Sequence, residues 1–269
     1  MEFLDFFNYS FFNRALLMAV FGGISCGIAG VWILLLNISF IGVAMAHAAL
    51  AGAVIGFFLG VNPVLLSFVF CILSAVLIEP LSKKSKLHGN VSINIMFSFM
   101  LAVALLFAGL MKNYQVEILG FLWGSILTVT KKEIVLNFIM IIILLGFIKF
   151  FHRALTVVFF DREIANLLGV PEKQIIYIIM ILISITISFN LSSIGGLLIY
   201  SLIALPSAAA YQLTYKIKNM YILSAVFAVT GSVLGLFISS FVELPVAATI
   251  IIVLCVIFCI TTVFSIKKD

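Results

Sequence analysis

The chain has 269 residues, of which 65% are hydrophobic and only 9% charged, and its formal net charge is +5. About a quarter of an average soluble domain is Asp, Glu, Lys or Arg, so this composition excludes a soluble globular fold. It also argues against a nucleic-acid-binding protein, because the Lys and Arg residues are scattered through short loops and form no basic patch.

Long apolar segments follow one another along the chain, and each is near the length of about 20 residues that a helix needs to cross a bilayer. They lie near residues 12–36, 40–60, 63–81, 91–111, 133–150, 175–191, 194–214, 219–240 and 246–265. The sequence therefore predicts an all-α, polytopic membrane helix bundle of eight or nine transmembrane helices. Residues 1–269 are predicted to form one transmembrane domain. The stretch 115–130 is too short to cross twice, so it is predicted to lie at the interface or to be re-entrant.

The distribution of basic residues predicts the orientation. With the N-terminus outside and nine crossings, the cytoplasmic loops hold the larger share of the Lys and Arg residues, as the positive-inside rule requires. These residues are Lys83, Lys84, Lys86, Lys149, Arg153, Arg162, Lys173, Lys216, Lys218, Lys267 and Lys268. The outer side keeps Arg14, Lys112, Lys131 and Lys132. We therefore expect a multi-pass protein of the cell membrane with a cytoplasmic C-terminus.

The second apolar segment combines a stripe of small residues with one imidazole. Small residues recur at steps of four, at Ala44, Ala48, Gly52, Gly56 and Gly60, and predict close helix packing. His47 lies within the same segment. Ionisable groups at membrane depth tend to face a bundle interior or a water-filled path. The residues alone leave two interpretations of His47 open, a role in a transport path and a structural hydrogen bond between helices.

Residues 151–174 form the longest loop that contains polar residues on the predicted cytoplasmic side. Asp161 is a candidate helix N-cap, Gly169 would end the helix, and Pro171 follows as a stop signal. We predict a short amphipathic helix lying across the inner face of the membrane.

The sequence contains no phosphate-binding GxxxxGK[ST] loop and no HExxH pair. An enzyme is therefore not predicted, and uphill transport would need energy from a partner or an ion gradient. A secondary transporter driven by such a gradient would be expected to carry paired acids near the midplane, and none is evident.

Four blocks of this chain resemble the metal-ion permeases of ATP-binding-cassette importers, which serve zinc, manganese and iron uptake in bacteria. The blocks are SFIGVAMAHAALAGAVIG (39–56), VVFFDREIANLLGVP (157–171), SSIGGLLIYSLIALPSAAAYQLT (192–214) and SFVELPVAATIII (240–252). The resemblance extends over nearly the whole chain, and the second and third blocks together are its most specific part.

The resemblance implies a type II importer-like fold and a dimer, with a path for the ion between the two copies. It implies ATP-binding subunits on the inner face and an extracytoplasmic metal-binding protein on the outer face. ATP would bind only to the partner subunit, and the only metal would be the transported divalent ion, with zinc or manganese as the first candidates and iron as a further one. His47 and Glu243 are the implied metal ligands. The residues implied to couple to the ATPase are Phe160, Asp161, Ala165, Leu168 and Gly169.

One departure from the family pattern concerns the metal ligands. Many members place an aspartate four residues before the histidine, where this chain has Val43. A lone imidazole is a weak divalent-ion site unless a second His47 faces it across a twofold axis or another helix supplies a carboxylate. The alternative is a different cargo, such as a metal chelate, a softer metal or a small organic molecule.

Overall fold

The computed structural model describes residues 10–85, 89–111 and 126–267. Within these ranges the chain forms ten α-helices and one short 3-10 turn, Ile126–Thr128, and no β-strand. The helices are α1 (Ser10–Leu35), α2 (Ile41–Leu59), α3 (Pro63–Ser85), α4 (Gly89–Leu110), α5 (Lys131–Phe160), α6 (Arg162–Leu167), α7 (Glu172–Ile194), α8 (Gly196–Leu213), α9 (Ile217–Val242) and α10 (Val246–Val263).

The predicted membrane-spanning segments are confirmed. Nine of the described helices, all except α6, are long and apolar enough to cross a bilayer, and each corresponds to one predicted segment. Residues 115–125 of the stretch for which we predicted an interfacial or re-entrant position lie outside the described residues. The remainder of that stretch forms the 3-10 turn and the N-cap of α5, where Thr130 and Glu133 form a reciprocal capping box.

The predicted loop that begins at residue 151 is wrong in its first half. Helix α5 continues to Phe160, ten residues past the predicted end at 150. One residue, Phe151, departs from helical geometry with φ −105° and ψ 15°, and the helix resumes after it. Leu155 and Val158 are buried, so packing of these apolar side chains favours continued helix over a loop.

Two groups of helices build the bundle. Helix α2 packs against α3 and α4, while α8, α9 and α10 pack against one another. Helix α1 contacts α5, α7, α8 and α9, and α7 also contacts α2 and α3, so α1 and α7 connect the two groups. A buried hydrogen bond of 2.7 Å from Trp32 Nε1 to Tyr221 Oη ties α1 to α9.

Small residues permit the close helix contacts that the sequence predicts. A Cβ added at Gly52 would overlap the backbone carbonyl of Leu66 in α3, and one at Gly56 would lie 2.7 Å from Pro63 Cα. In α1, a Cβ at Gly30 would overlap the carbonyl oxygen of Ile203 in α8. Backbone cannot move aside as a side chain can, so these contacts require glycine.

A break separates α7 from α8. Helix α7 ends at Ile194, Gly195 adopts φ +87° and ψ 151°, and α8 begins at Gly196. Only glycine reaches this region of backbone space without strain. This break sets the start of α8 beside α2.

Candidate functional site

His47 lies on α2 and is held by its own helix. Its Nδ1 atom is 2.9 Å from the carbonyl oxygen of Val43, one turn earlier. The ring meets Phe97 of α4 edge to face, with ring centroids 4.8 Å apart and an interplanar angle of 82°. When Nδ1 carries the proton and donates it to Val43, Nε2 keeps its lone pair for a ligand.

His47 faces a cavity of about 330 Å³ between α2 and the break between α7 and α8. Val43, Ala46 and Leu50 of α2 line it with His47, and the residues from the other helices are Leu191, Gly196, Leu197 and Tyr200. Imidazole and phenol are the only polar side chains in this lining, and no carboxylate contributes to it. The cavity therefore offers one nitrogen ligand and one hydroxyl on an otherwise apolar wall.

Tyr200 was not singled out by the sequence analysis, although it lies in one of the four blocks quoted there. The sequence feature that could have identified it is a hydroxyl group one turn into α8, just after the Gly195 break, within an otherwise apolar run. The break directs the start of α8 toward α2, where Tyr200 lies near Gly42. Sequence spacing alone does not predict this contact, because it joins helices about 150 residues apart in the chain.

The second predicted metal ligand, Glu243, lies elsewhere. It caps the C-terminal end of α9 in the left-handed conformation, with φ 57°, and is exposed. It does not line the His47 cavity. Among the described residues, no three His, Cys, Asp or Glu side chains gather in an arrangement that would hold a metal ion. The described part of one chain therefore brings His47 to a cavity without a carboxylate partner.

A buried polar cluster that the sequence analysis missed joins α1, α5 and α7. Ser25 Oγ lies 3.3 Å from Asn137 Oδ1 and receives a 3.4 Å hydrogen bond from Asn190 Nδ2. Asn190 also donates to the carbonyl oxygen of Thr186, while its own Oδ1 is buried and has no partner. Closer to the start of α5, Ser192 Oγ donates to Glu133 Oε1 at 2.9 Å. An amide within an apolar run, as at positions 137 and 190, is the signal that would have found the cluster.

Helix α6 is a short surface helix with both ends capped, as predicted. Asp161 Oδ1 accepts hydrogen bonds from the backbone N–H groups of Glu163 and Ile164, at 2.7 and 3.1 Å. At the other end Gly169 has φ +73°, and its N–H donates to Asn166. Val170 N–H donates to the carbonyl oxygen of Ala165, which completes a Schellman motif.

The residues around α6 divide into anchors and exposed apolar side chains. Ala165 is fully buried, and the Arg162 Nη2 group donates to the carbonyl oxygen of Leu36 at the end of α1. In contrast, Phe160 is 83%, Leu167 86% and Leu168 66% exposed. Large apolar side chains so exposed at a fixed position are typical of an interaction surface.

A bundle of helices that can span a membrane, with a cavity lined by His47 and Tyr200, fits a transport permease. The chain belongs to the ABC 3 transport family, whose sequence profile matches residues 8–265. It is 29% identical over 261 residues to the manganese transport system membrane protein MntC of Listeria monocytogenes, covering 97% of this chain and 93% of that protein. It is 30% identical over 268 residues to the manganese import system permease protein ScaB of Streptococcus parasanguinis, covering 99% and 95%.

The fold resembles a solved structure over almost its entire length. PsaBC from Streptococcus pneumoniae, solved in complex with a Fab, superposes with a TM-score of 0.87 at 28% identity. The match covers 99% of this chain and 97% of that chain. The predicted all-α permease fold and the predicted family are therefore confirmed.

Proposed function

We propose that this protein is the permease subunit of an ATP-binding-cassette importer for a divalent transition metal, with manganese and zinc as the leading cargoes. A dimer of the chain would enclose the ion path. Separate ATP-binding subunits would supply the energy, and an extracytoplasmic protein would deliver the metal. The C-terminus and α6 would face the cytoplasm.

One observation carries the proposal, the position of His47. Its Nδ1 is occupied by the Val43 carbonyl, so Nε2 is available to a ligand in the cavity. Neutral imidazole is the commonest protein ligand for such metals. Manganese is favoured by the names of the two relatives reported above, both manganese transport proteins. Zinc is favoured by the ligand itself, because Zn²⁺ accepts nitrogen readily.

Transport requires a site that binds the ion and then releases it. A single imidazole suits weak, transient binding, and His47 of a second copy would complete the site across a twofold axis. A second candidate function is transport of a metal chelate or small organic molecule. The observation that favours it is the cavity lining, which is mostly apolar and has no carboxylate.

Helix α6 is the proposed contact with the ATPase. Phe160, Leu168 and Leu167 present the apolar surface, Ala165 anchors the helix, and the Asp161 and Gly169 caps hold its ends. Because α6 is capped at both ends and lies between α5 and α7, it would transmit a movement of the ATPase to those two helices better than a loop would.

The test is reconstitution of the chain in vesicles with its ATPase and binding protein, followed by uptake of radioactive manganese and zinc. We expect ATP-dependent uptake that both His47→Ala and His47→Gln abolish while the complex still assembles. Ser201→Ala serves as the control, because the Ser201 hydroxyl is exposed and bonds only to its own helix. Full metal uptake by His47→Ala would assign the imidazole a structural role. Concentrative uptake by the chain alone, driven by a proton or sodium gradient, would overturn the proposal.

A further inference from the structure

An open pocket of about 520 Å³, called the basic pocket here, lies between the end of α5 and the turn that joins α8 to α9. His152 and Thr156 of α5 line one side, and Tyr215, Lys216 and Lys218 line the other. It is separate from the His47 cavity, with which it shares no residue. Of its lining residues, Phe160 also belongs to the surface proposed above to contact the ATPase.

The length of α5 indicates that the basic pocket lies where the lipid headgroups begin. Helix α5 starts at Lys131, and at 1.5 Å per residue its first 20 residues span about 30 Å, the thickness of the hydrocarbon layer. His152 comes just after this length. Lys267 lies over the rings of Tyr211 and Tyr215, with its Nζ 3.0 and 4.9 Å from the two ring centroids. Tyrosines are enriched at the level of the headgroups.

The positive charge of the pocket is not balanced by any of the residues that line it. Lys216 and Lys218 carry two fixed positive charges, and His152 adds an imidazole. No acidic side chain is among the lining residues. Lys267, held close to Tyr215, adds further positive potential at the rim.

The floor of the pocket is apolar. The partly buried Leu35, Phe159 and Ile217 form it, while Phe160 and the lysines are exposed at the rim. A soluble anion would contact only the lysines at the rim. A molecule with a negatively charged head and apolar chains matches both parts, and the cytoplasmic leaflet of a cell membrane contains such molecules.

We propose that the basic pocket binds the phosphate headgroup of an anionic phospholipid, with the acyl chains along Leu35, Phe159 and Ile217. Lys216 and Lys218 pair with the phosphate. The hydroxyl groups of Thr156 and Tyr215 already donate to the backbone carbonyls of His152 and Ile266, so the two lysines carry the interaction. This inference assumes the proposed orientation in the membrane but does not depend on the proposed cargo.

The first experiment measures lipid binding to the purified full chain by native mass spectrometry at physiological salt. The probes are phosphatidylglycerol and phosphatidylcholine with the same acyl chains. We expect phosphatidylglycerol to be retained preferentially, and Lys216→Gln/Lys218→Gln to weaken its binding roughly tenfold or more, since each lysine near a membrane surface contributes about fivefold. The matched control, Lys149→Gln/Lys173→Gln, removes the same charge at the same end of the bundle and outside the pocket, and should change binding less than twofold.

A second experiment locates the lipid without any variant. Photoreactive phosphatidylglycerol should label peptides that contain residues 152–156 and 211–218. Absence of that label overturns the proposal, as does equal retention of the two lipids by the wild-type chain. Equal loss of phosphatidylglycerol binding in both double variants would show a general effect of charge and not a specific site. Displacement by millimolar glycerol phosphate would assign the pocket to a soluble anion. If Lys216→Gln/Lys218→Gln retains the lipid but no longer binds the ATPase, the pocket is a protein-docking site.

Discussion

The carbonyl oxygen of Val43 lies 2.9 Å from Nδ1 of His47, one helical turn along α2. Both residues line the same cavity, so a carboxylate at position 43 would face the place that a ligand of His47 occupies. The backbone of Val43 orients the imidazole, while its side chain leaves the second ligand position apolar. For the proposed metal site, this relationship leads to the first prediction.

Val43→Asp should tighten metal binding. The new carboxylate would join His47 as a ligand, and oxygen ligands suit Mn²⁺ particularly well. We expect at least tenfold tighter binding of Mn²⁺ by calorimetry on the purified permease and slower release during transport. Val43→Asn is the control, because it has a similar shape without the charge. Unchanged Mn²⁺ affinity in Val43→Asp would show that position 43 does not face the ion.

The caps of α6 should matter for coupling more than for assembly. Asp161→Lys removes the N-cap, at a cost of about 1 kcal/mol for the helix, and places a positive charge at the positive end of the helix dipole. A bulky residue such as valine at Gly169 is strained at φ +73°. We expect both variants to hydrolyse ATP in the reconstituted complex with uptake reduced tenfold or more. Lys149→Gln should behave as wild type, and intact coupling in both cap variants would contradict the role of α6.

Gly52→Ala should destabilise the bundle. The added methyl group would meet the backbone of Leu66 and Ser67 in α3, so the two helices must separate. Overpacking of this kind costs about 1–3 kcal/mol. Gly146→Ala is the matched control, because nothing lies within 4 Å of its Cβ position and alanine is the better helix former.

Thermal unfolding in detergent distinguishes these two variants. We expect a lower midpoint for Gly52→Ala and an unchanged or higher one for Gly146→Ala. Equal midpoints would mean that α2 and α3 are packed less tightly than the contact at Gly52 indicates.

Asn190 and Ser25 should be energetically coupled. Hydrogen bonds between membrane helices contribute about 0.6 kcal/mol on average and rarely more than about 1.7. We expect Asn190→Ala and Ser25→Ala each to destabilise the protein by about 1 kcal/mol, and the double variant by less than their sum. Unfolding free energies from a double-mutant cycle measure this difference, and strict additivity would show that the cluster does not act as a unit.

The sequence was sufficient for the features that depend on local chemistry. Long apolar runs predicted the nine spanning helices, because every backbone polar group in a bilayer must be paired within its own helix. Asp161 and Gly169 marked the ends of α6 for an equally local reason, since capping involves only adjacent residues. The continuation of α5 past Phe151 was missed, because the polar-containing stretch that starts at residue 151 was interpreted as a loop.

Only the tertiary structure decided which side chains meet. Sequence marked His47 as an unusual residue, but its neighbours Leu191 and Tyr200 come from helices far along the chain, and the backbone turn at Gly195 places them there. Glu243, the other residue implied as a ligand, lies outside that cavity because α9 ends elsewhere. Apolar periodicity determines that a helix forms and spans the membrane, since that requires only its own residues. Which helix it contacts depends on close packing between surfaces that no local pattern encodes.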